Sequence, residues 1–501
     1  MTAPSAMDRP RAPVDLSTSG DHRLVRVGES LLLFFVESST LLALDPGRCL
    51  DAAGQPTERL RQAVAVALSV QEREAGRLNR DLVRERAART PNRVSALNLN
   101  LTDRCNLACV YCYAKGGGYG RIRDELDLDT FRSAMAEAAG VLDRSRELRF
   151  EFFGGEPLLN LETIRQVLEW ESDTPGLPAR VVNRISTNLT VLTPQMEEVL
   201  ERGRFILSVS LDGSRETQDA QRPFRDGRGS FDTIIENVRK MKRRAPHLVT
   251  VARMTVYRGG SRLLDEIEEL RQTDLFDYCS IYAAAIDQDG RGDLVVSPEF
   301  QESYLAFAAR YDGYLSGRAG RFKGCLELNR YLGHLLLGTA ALNHCRAGIG
   351  YFSLSADGSV HPCHRLIGQG SRTLPGGLRG VEATPELWRV PVTERQPCDS
   401  CDTRYFCGGG CKQENLIATG DPLSPGPSGC AFARLLFDAA LVASSTLSGP
   451  SRRRLEPICS GLEELFVLCG QEVGAHDRGA LRGALEASLA PFLSRSGRQS
   501  R

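Results

Sequence analysis

Apolar and polar residues follow one another along this chain in distinct regimes. From His22 to Asp45 (HRLVRVGESLLLFFVESSTLLALD), apolar runs are cut at Gly28-Glu29 and Ser38-Ser39, which predicts three short strands joined by tight turns. From about Thr57 to Arg89 the spacing turns helical, apolar early (LRQAVAVAL) and densely charged later. Residues 1–20, rich in Pro, Ser and charge, read as a loose terminus. Thr90-Pro91-Asn92 marks a boundary, so residues 1–90 read as a small α+β module.

Between 95 and 286 strand-length runs recur at 95–102, 147–153, 181–187, 205–211, 249–256 and 278–284. Helical patterns lie between them, for example Asp129–Leu142, Leu161–Glu171, Phe231–Lys242 and Ser261–Arg271. Six βα repeats predict an α/β fold with a parallel sheet and right-handed crossovers. They are too few for a full eight-stranded barrel, so an open or partial barrel is expected, with its chemistry at the C-terminal strand ends. Residues 287–344 read as mixed and mostly helical. Residues 345–430 are rich in Cys and Gly with little apolar periodicity, so ligands are expected to hold them together. Residues 431–501 read as about three helices and a polar tail. The expected domains are 1–90, 91–320, 321–435 and 436–501.

Composition narrows the function. Lys+Arg and Asp+Glu both count 63, which leaves no bulk charge for a nucleic-acid backbone. Apolar runs such as residues 30–36 are too short to span a bilayer, and the N-terminus has no signal-like apolar core. A cytoplasmic, reducing location with neither nucleic-acid nor membrane partner is expected, where clustered cysteines hold metal rather than disulfides. Of 15 cysteines, three crowd into residues 105–112 and seven lie between 345 and 430. Cys49, Cys279, Cys459 and Cys469 are expected to be buried filler. Cys325 is left open.

The first strand of the repeat runs into Cys105-x3-Cys109-x2-Cys112. Three thiolates on one loop can hold three corners of a [4Fe–4S] cube and leave the fourth iron open. A four-thiolate zinc site would need another nearby cysteine, and none lies between 113 and 278. This motif, at this place in a βα repeat, strongly resembles that of the radical SAM superfamily. The resemblance implies a partial (β/α)6 barrel of that type, with S-adenosylmethionine (SAM) chelating the open iron and Tyr111 beside its adenine. Gly154-Gly155-Glu156-Pro157, at the second strand's end, is similar to the family's GGEP motif. Its glycines permit close backbone approach, and its carboxylate is expected at the SAM ammonium. Ser186-Thr187-Asn188 resembles the polar position that contacts ribose or carboxylate. Ser210-Leu-Asp212-Gly213, Asp219-x2-Arg222 and Gly227-x-Gly229-Ser-Phe231 look like a signature of peptide-modifying members. Ser210 and Arg222 are the candidates for the SAM carboxylate, and Asp212 is open to a turn role.

The later cysteines run Cys345-x12-Gly358-x4-Cys363, Cys398-x2-Cys401-x5-Cys407-x3-Cys411, then Cys430. By itself Cys-x2-Cys would fit a zinc ribbon, so a non-catalytic zinc-binding interaction protein is an alternative of another class. The whole pattern resembles the SPASM domain, which implies two auxiliary Fe–S clusters. The second would take Cys398, Cys401, Cys407 and Cys430, and the first Cys345, Cys363 and Cys411. Thr339 stands where some relatives place a fourth ligand, so the first cluster either has an open iron, the favoured reading, or recruits Cys325. His361 and His364, beside Cys363, are expected to hydrogen-bond around the site. The resemblance is nearest to thioether-forming maturases of ribosomal peptides. It implies a precursor peptide or small protein subunit as substrate and an electron donor such as flavodoxin or ferredoxin. Cyclophane-forming, epimerising and formylglycine-forming chemistry are alternatives within the class. The N-terminal meander looks like a leader-binding module, which would take a peptide by strand addition.

Overall fold

The computed structural model describes residues 12–72, 92–120, 124–178, 180–257, 262–283, 296–316, 320–368, 372–460, 472–473 and 478–494. Cys469, residues 73–89 of the expected first helix and most of the polar tail lie outside the described residues.

The parallel sheet forms because its strands are wanted on both faces. β5 (Ala96–Asn100), β6 (Leu148–Phe153), β7 (Val181–Thr187), β8 (Ile206–Ser210), β9 (Thr250–Val256) and β10 (Tyr278–Ala283) pair in sequence order, all parallel. Each lies within a residue or two of its sequence expectation. In β5 the alternation Leu-Asn-Leu-Asn sorts the faces. Leu97 and Leu99 join the apolar core, whereas Asn98 donates to Glu151 on β6 at 3.4 Å. Opposite the helices the sheet therefore presents polar side chains to an interior, and the open barrel is an α/β fold of the expected type. Crossover helices such as Leu128–Ala138, Leu161–Asp173 and Phe231–Arg244 cover its outside. Asp127 and Asn160 cap the first two, accepting from Thr130 N and Thr163 N.

The Cys-rich region adds to this sheet, which its sequence did not foretell. β12 (Tyr351–Leu354) pairs parallel to β5, and β13 (Val360–His361) pairs antiparallel to β12. Runs this short, buried on both faces, carry no period to read. A two-residue pair, β11 (Ala340–Ala341) with β14 (Glu472–Val473), stands apart.

Residues 14–18 correct the expectation of a loose terminus. They form β1 (Val14–Thr18), the edge of an antiparallel sheet with β2 (His22–Val27), β3 (Ser30–Phe35) and β4 (Thr40–Leu44). The opposite edge is covered from the far end of the chain. Leu44 bridges Leu493, and Ser494 N donates to Ala43 O at 3.1 Å. Leu481, Leu485, Leu489 and Phe492 share a core with Leu33, Phe35, Leu60 and Val64. The helix Arg478–Leu489 thus completes the module that β1–β4 and the helix Glu58–Gln71 begin. The helix Pro427–Thr446 is long and apolar enough to cross a membrane by length and composition. Ten of its residues are buried, Leu435, Leu436, Phe437 and Leu441 in the protein core among them.

Candidate active site

The cysteine loop leaves β5 and arches over the sheet's C-terminal edge. Asn100 Nδ2 donates to Asp103 Oδ1 at 2.8 Å at its start. Ala108 N and Val110 N donate to Pro223 O and Gln221 O at 2.9 and 3.0 Å, and Arg225 Nε donates to Cys105 O at 2.8 Å. The loop is therefore shaped by backbone bonds that owe nothing to its thiols. Cys105, Cys109 and Cys112 are free thiols. Burial pushes Cys105 up to about 11 and Cys109 up to about 12, and the neighbouring thiols oppose ionisation further. Thiolates gathered this way call for a cationic centre. Among the described residues no three His, Cys, Asp or Glu side chains are drawn together tightly enough for one metal ion. A cube in which each thiolate takes a different iron asks for a wider cage than zinc does. The donor set fits a [4Fe–4S] group.

Gly154-Gly155-Glu156 packs directly on this loop. Gly155 N donates to Thr102 O at 2.7 Å and Glu156 N to Arg104 O at 2.8 Å. A Cβ on Gly155 would lie 2.1 Å from Arg104 O, and one on Gly154, with φ +141°, 2.5 Å from Thr102 O. The glycines serve the approach of two backbone segments, which corrects the expectation of approach to a ligand alone. The Glu156 carboxylate, 1% exposed, accepts from Thr187 Oγ1 and Asn188 N, both at 2.6 Å, and from Leu158 N at 3.1 Å. Burial nevertheless raises its pKa to about 7. It ties the turn to the end of β7, which gives it a positioning role in the fold. Pro157 opens the short helical turn that follows.

The other expected residues gather around the same mouth. Asn188 Nδ2 donates to Asn106 Oδ1 at 2.9 Å and lies 3.8 Å from Cys105 Sγ. Thr187 is buried behind it. Ser210 ends β8, half-buried. Tyr111, expected beside a ligand base, donates its hydroxyl to Asp212 Oδ2. Arg222 grips Asp212 with Nε and Nη2 at 2.9 and 2.8 Å, and its guanidinium lies 5.2 Å from the Tyr111 ring centre. Thr255 N adds a fourth bond to Asp212, at 2.8 Å. Asp212 is thus the hub that joins the cysteine loop, β8 and β9. Two of the Arg222 nitrogens are spent on it, which narrows any ligand role for Arg222. The Asp212–Arg222 spacing was visible in sequence, but the pairing was not. Arg253 was missed entirely. From β9 it donates Nη1 to Ser186 Oγ at 3.1 Å and packs 4.7 Å from the Tyr282 ring centre.

The seven later cysteines fall into two sets. Cys363 is raised by burial and then by Cys411 and Cys345. Cys398, pushed up to about 12 by burial, is opposed by Cys407, Cys430 and Cys401. Cys363, Cys411 and Cys345 are thus neighbours of one another, as are Cys398, Cys407, Cys430 and Cys401. Cys325 is a correction. It lies on a backbone bridge to Cys279, its Sγ is 3.1 Å from Glu327 Oε2 and 3.6 Å from the Tyr304 hydroxyl, and burial and Cys279 raise its pKa. It stands at the N-cap of the helix Leu326–Leu337, beside β10, and its thiol is engaged there with Glu327 and Tyr304. Replacing it, as Cys325→Ser, should leave the iron content of anaerobically reconstituted protein unchanged. A loss of iron would restore it as a ligand.

One aromatic wall separates the first thiol loop from the three-cysteine set. The His364 ring lies 4.7 Å from Phe153 and 6.4 Å from Tyr113, the residue after Cys112. His364 Nδ1 is 2.6 Å from the Tyr351 hydroxyl, and Arg365 Nη1 lies 3.8 Å from Cys411 Sγ with its guanidinium 5.1 Å from the Tyr113 ring. His361 Nε2 is 3.1 Å from Ser359 Oγ. Both histidines are buried and take the hydrogen-bonding part expected of them.

Known proteins are similar to this chain. Residues 99–273 match the radical SAM superfamily. The chain is 28% identical over 342 residues to mycofactocin maturase MftC of Mycolicibacterium smegmatis, covering 65% of this chain and 80% of that protein. It is 22% identical over 334 residues to the cysteine-type anaerobic sulfatase-maturating enzyme of Clostridium perfringens, covering 62% and 86%. A match to an uncharacterised protein of Methanocaldococcus jannaschii is 31% identical over 139 residues and spans 46% of that protein. The solved structure of anSMEcpe with bound AdoMet superposes with a TM-score of 0.58 at 18% identity, over 73% of this chain and 98% of that one.

Proposed function

We propose that this chain, whose residues 99–273 match the radical SAM superfamily, is a peptide maturase of that kind that closes an intrapeptide thioether. Cys105, Cys109 and Cys112 hold the [4Fe–4S] group, and Cys345, Cys363, Cys411 and Cys398, Cys401, Cys407, Cys430 hold two auxiliary Fe–S groups. When bound, the first group supplies the electron that splits S-adenosylmethionine and so the radical that removes a substrate hydrogen. The chain supplies position. Asp212, Arg222 and Tyr111 fix the cysteine loop on the strand ends, while Glu156 fixes the Gly-Gly turn against it. Ser186, with Arg253, and Ser210 offer polar partners at the mouth. Phe153, Tyr113 and His364 keep water from the space between the two thiol sets.

The observation that carries the reading is that wall. It supports a reading in which a three-cysteine set, with no fourth cysteine grouped with it among the described residues, lies beside the loop that would make the radical. Such a set leaves one position for an external sulfur. A substrate carbon and a substrate thiol would thus be held along one aromatic layer. The substrate is a ribosomally made precursor peptide or a small protein subunit, and flavodoxin or ferredoxin supplies electrons in the cytoplasm. The β1 edge, mostly exposed, supports the N-terminal sheet as the site where the peptide adds as a strand.

The test is anaerobic reconstitution with iron and sulfide, then dithionite and S-adenosylmethionine, with a Cys-containing peptide encoded beside the gene. The expected result is 5′-deoxyadenosine together with a peptide that has lost two hydrogens and whose thiol is blocked to alkylation. The same loss with a free thiol assigns another crosslink, and an unchanged mass assigns epimerisation. Zinc uptake without iron, and no SAM cleavage, would defeat the reading as a whole.

A further inference from the structure

The N-terminal sheet is seated on the loop that carries Cys401 and Cys407. Glu37, in the turn between β3 and β4, accepts Arg404 Nη2 at 2.5 Å and the Tyr405 hydroxyl at 2.9 Å. Arg404 Nη1 donates to Gly20 O at 2.6 Å and to Cys401 O at 2.8 Å. Gly20 itself lies so close to the loop that a Cβ there would stand 2.7 Å from Ser400 O. Beneath these bonds the Phe34 ring packs 5.5 Å from Phe406 and 5.0 Å from Phe437. Arg23 pairs with Asp438 at 2.7 Å, on the helix that carries Cys430. The side chain of Arg404 is 4% exposed and that of Glu37 is 19% exposed.

We propose that the N-terminal sheet is the cap that shapes the second auxiliary centre, with Glu37 the positioning residue toward the Cys401–Cys407 loop. The proposal rests on the reading of Cys398, Cys401, Cys407 and Cys430 as one ligand set. Two ligands of that set are separated only by Asp402-Thr403-Arg404-Tyr405-Phe406, and three of those five side chains reach the cap. Charge-assisted bonds to a carboxylate are the strong kind, and supports behind a ligand decide how firmly a metal site is held. Removing Glu37 leaves the buried Arg404 guanidinium with carbonyl partners alone, so the loop gains freedom while the other two thiol sets keep their supports. An event on the sheet, peptide binding included, would in this way be felt at the second centre.

The test uses the full chain, reconstituted anaerobically, as parent, Glu37→Ala and Glu37→Gln. Its readouts are iron per chain, the EPR spectrum after dithionite, and the spectral change on adding S-adenosylmethionine. E37A should fall from about twelve irons to about eight, lose one auxiliary signal and keep the SAM-induced change. E37Q, which still offers an amide oxygen to Arg404 and Tyr405, should retain most of the signal. An E37A protein with the parent's iron and spectrum overturns the cap alone. Loss of every centre in both variants also overturns it, because the effect is then general stability. A parent holding only about four irons defeats the auxiliary ligand sets themselves, and the cap with them.

Discussion

Cys105→Ala, Cys109→Ala and Cys112→Ala should each reduce 5′-deoxyadenosine formation to background while leaving the barrel folded. The two halves of this expectation have separate causes. Each thiol supplies one corner of a three-thiolate set, and two corners do not hold a redox-competent cube. The loop, in contrast, is held by the bonds from Ala108 N and Val110 N and by Arg225 on Cys105 O, none of which uses a sulfur. Circular dichroism of the apo variants should match the parent, with the SAM assay at zero. Residual turnover in any of the three would remove that cysteine from the ligand set.

The largest effect on stability is expected at Asp212. Asp212→Ala should destabilise the apo protein by about 3–5 kcal/mol, because it strands a buried guanidinium. The Asp212 side chain is fully buried and that of Arg222 is 10% exposed. Asp212 accepts Arg222 twice, the Tyr111 hydroxyl and Thr255 N, and all of these bonds would go together, leaving the Arg222 guanidinium only the neutral acceptors Thr255 Oγ1 and Arg253 O. Asp212→Asn, which keeps an acceptor and loses the charge, should fall between Ala and parent. The pair Asp212→Leu with Arg222→Met should recover much of the loss, since two apolar groups leave no charge buried. Urea unfolding followed by tryptophan fluorescence reads all three. A single Ala variant as stable as the parent would mean that Arg222 reaches water and that Asp212 is not the hub.

How much of this was legible in the sequence differs from feature to feature. The six barrel strands were, because each is a run of five to seven residues bounded by turn residues, and pairing in chain order needs only short crossovers. The first thiol set was, because its ligands lie within eight residues of one another. β1 was not. Its five residues are mostly exposed, so no apolar pattern marks them, and pairing with β2 alone makes them a strand. Arg253 was not, because a basic residue inside a strand reads as a solvent-facing one until closure of the sheet turns that face inward. The partnership of Glu156 with Thr187 and Asn188 was hidden for the same reason.

The sequence by itself determined the chemistry that is local in the chain. Cys-x3-Cys-x2-Cys on a strand-end loop, the Gly-Gly-Glu-Pro turn and the βα repeat all follow from spacings of a few residues, over which backbone geometry leaves little choice. Only the tertiary structure decided what depends on residues far apart. It set Cys325 against Cys279, Glu327 and Tyr304, a choice that spacing cannot make because a buried thiol is equally a ligand and a small apolar group. It laid β12 and β13 of the Cys-rich region on the barrel sheet and brought the C-terminal helix back to the N-terminal sheet. It also placed Glu37 on the Cys401–Cys407 loop. Each of these contacts joins segments tens to hundreds of residues apart, and what selects them is the burial of complementary apolar and charged surface, which no local period records.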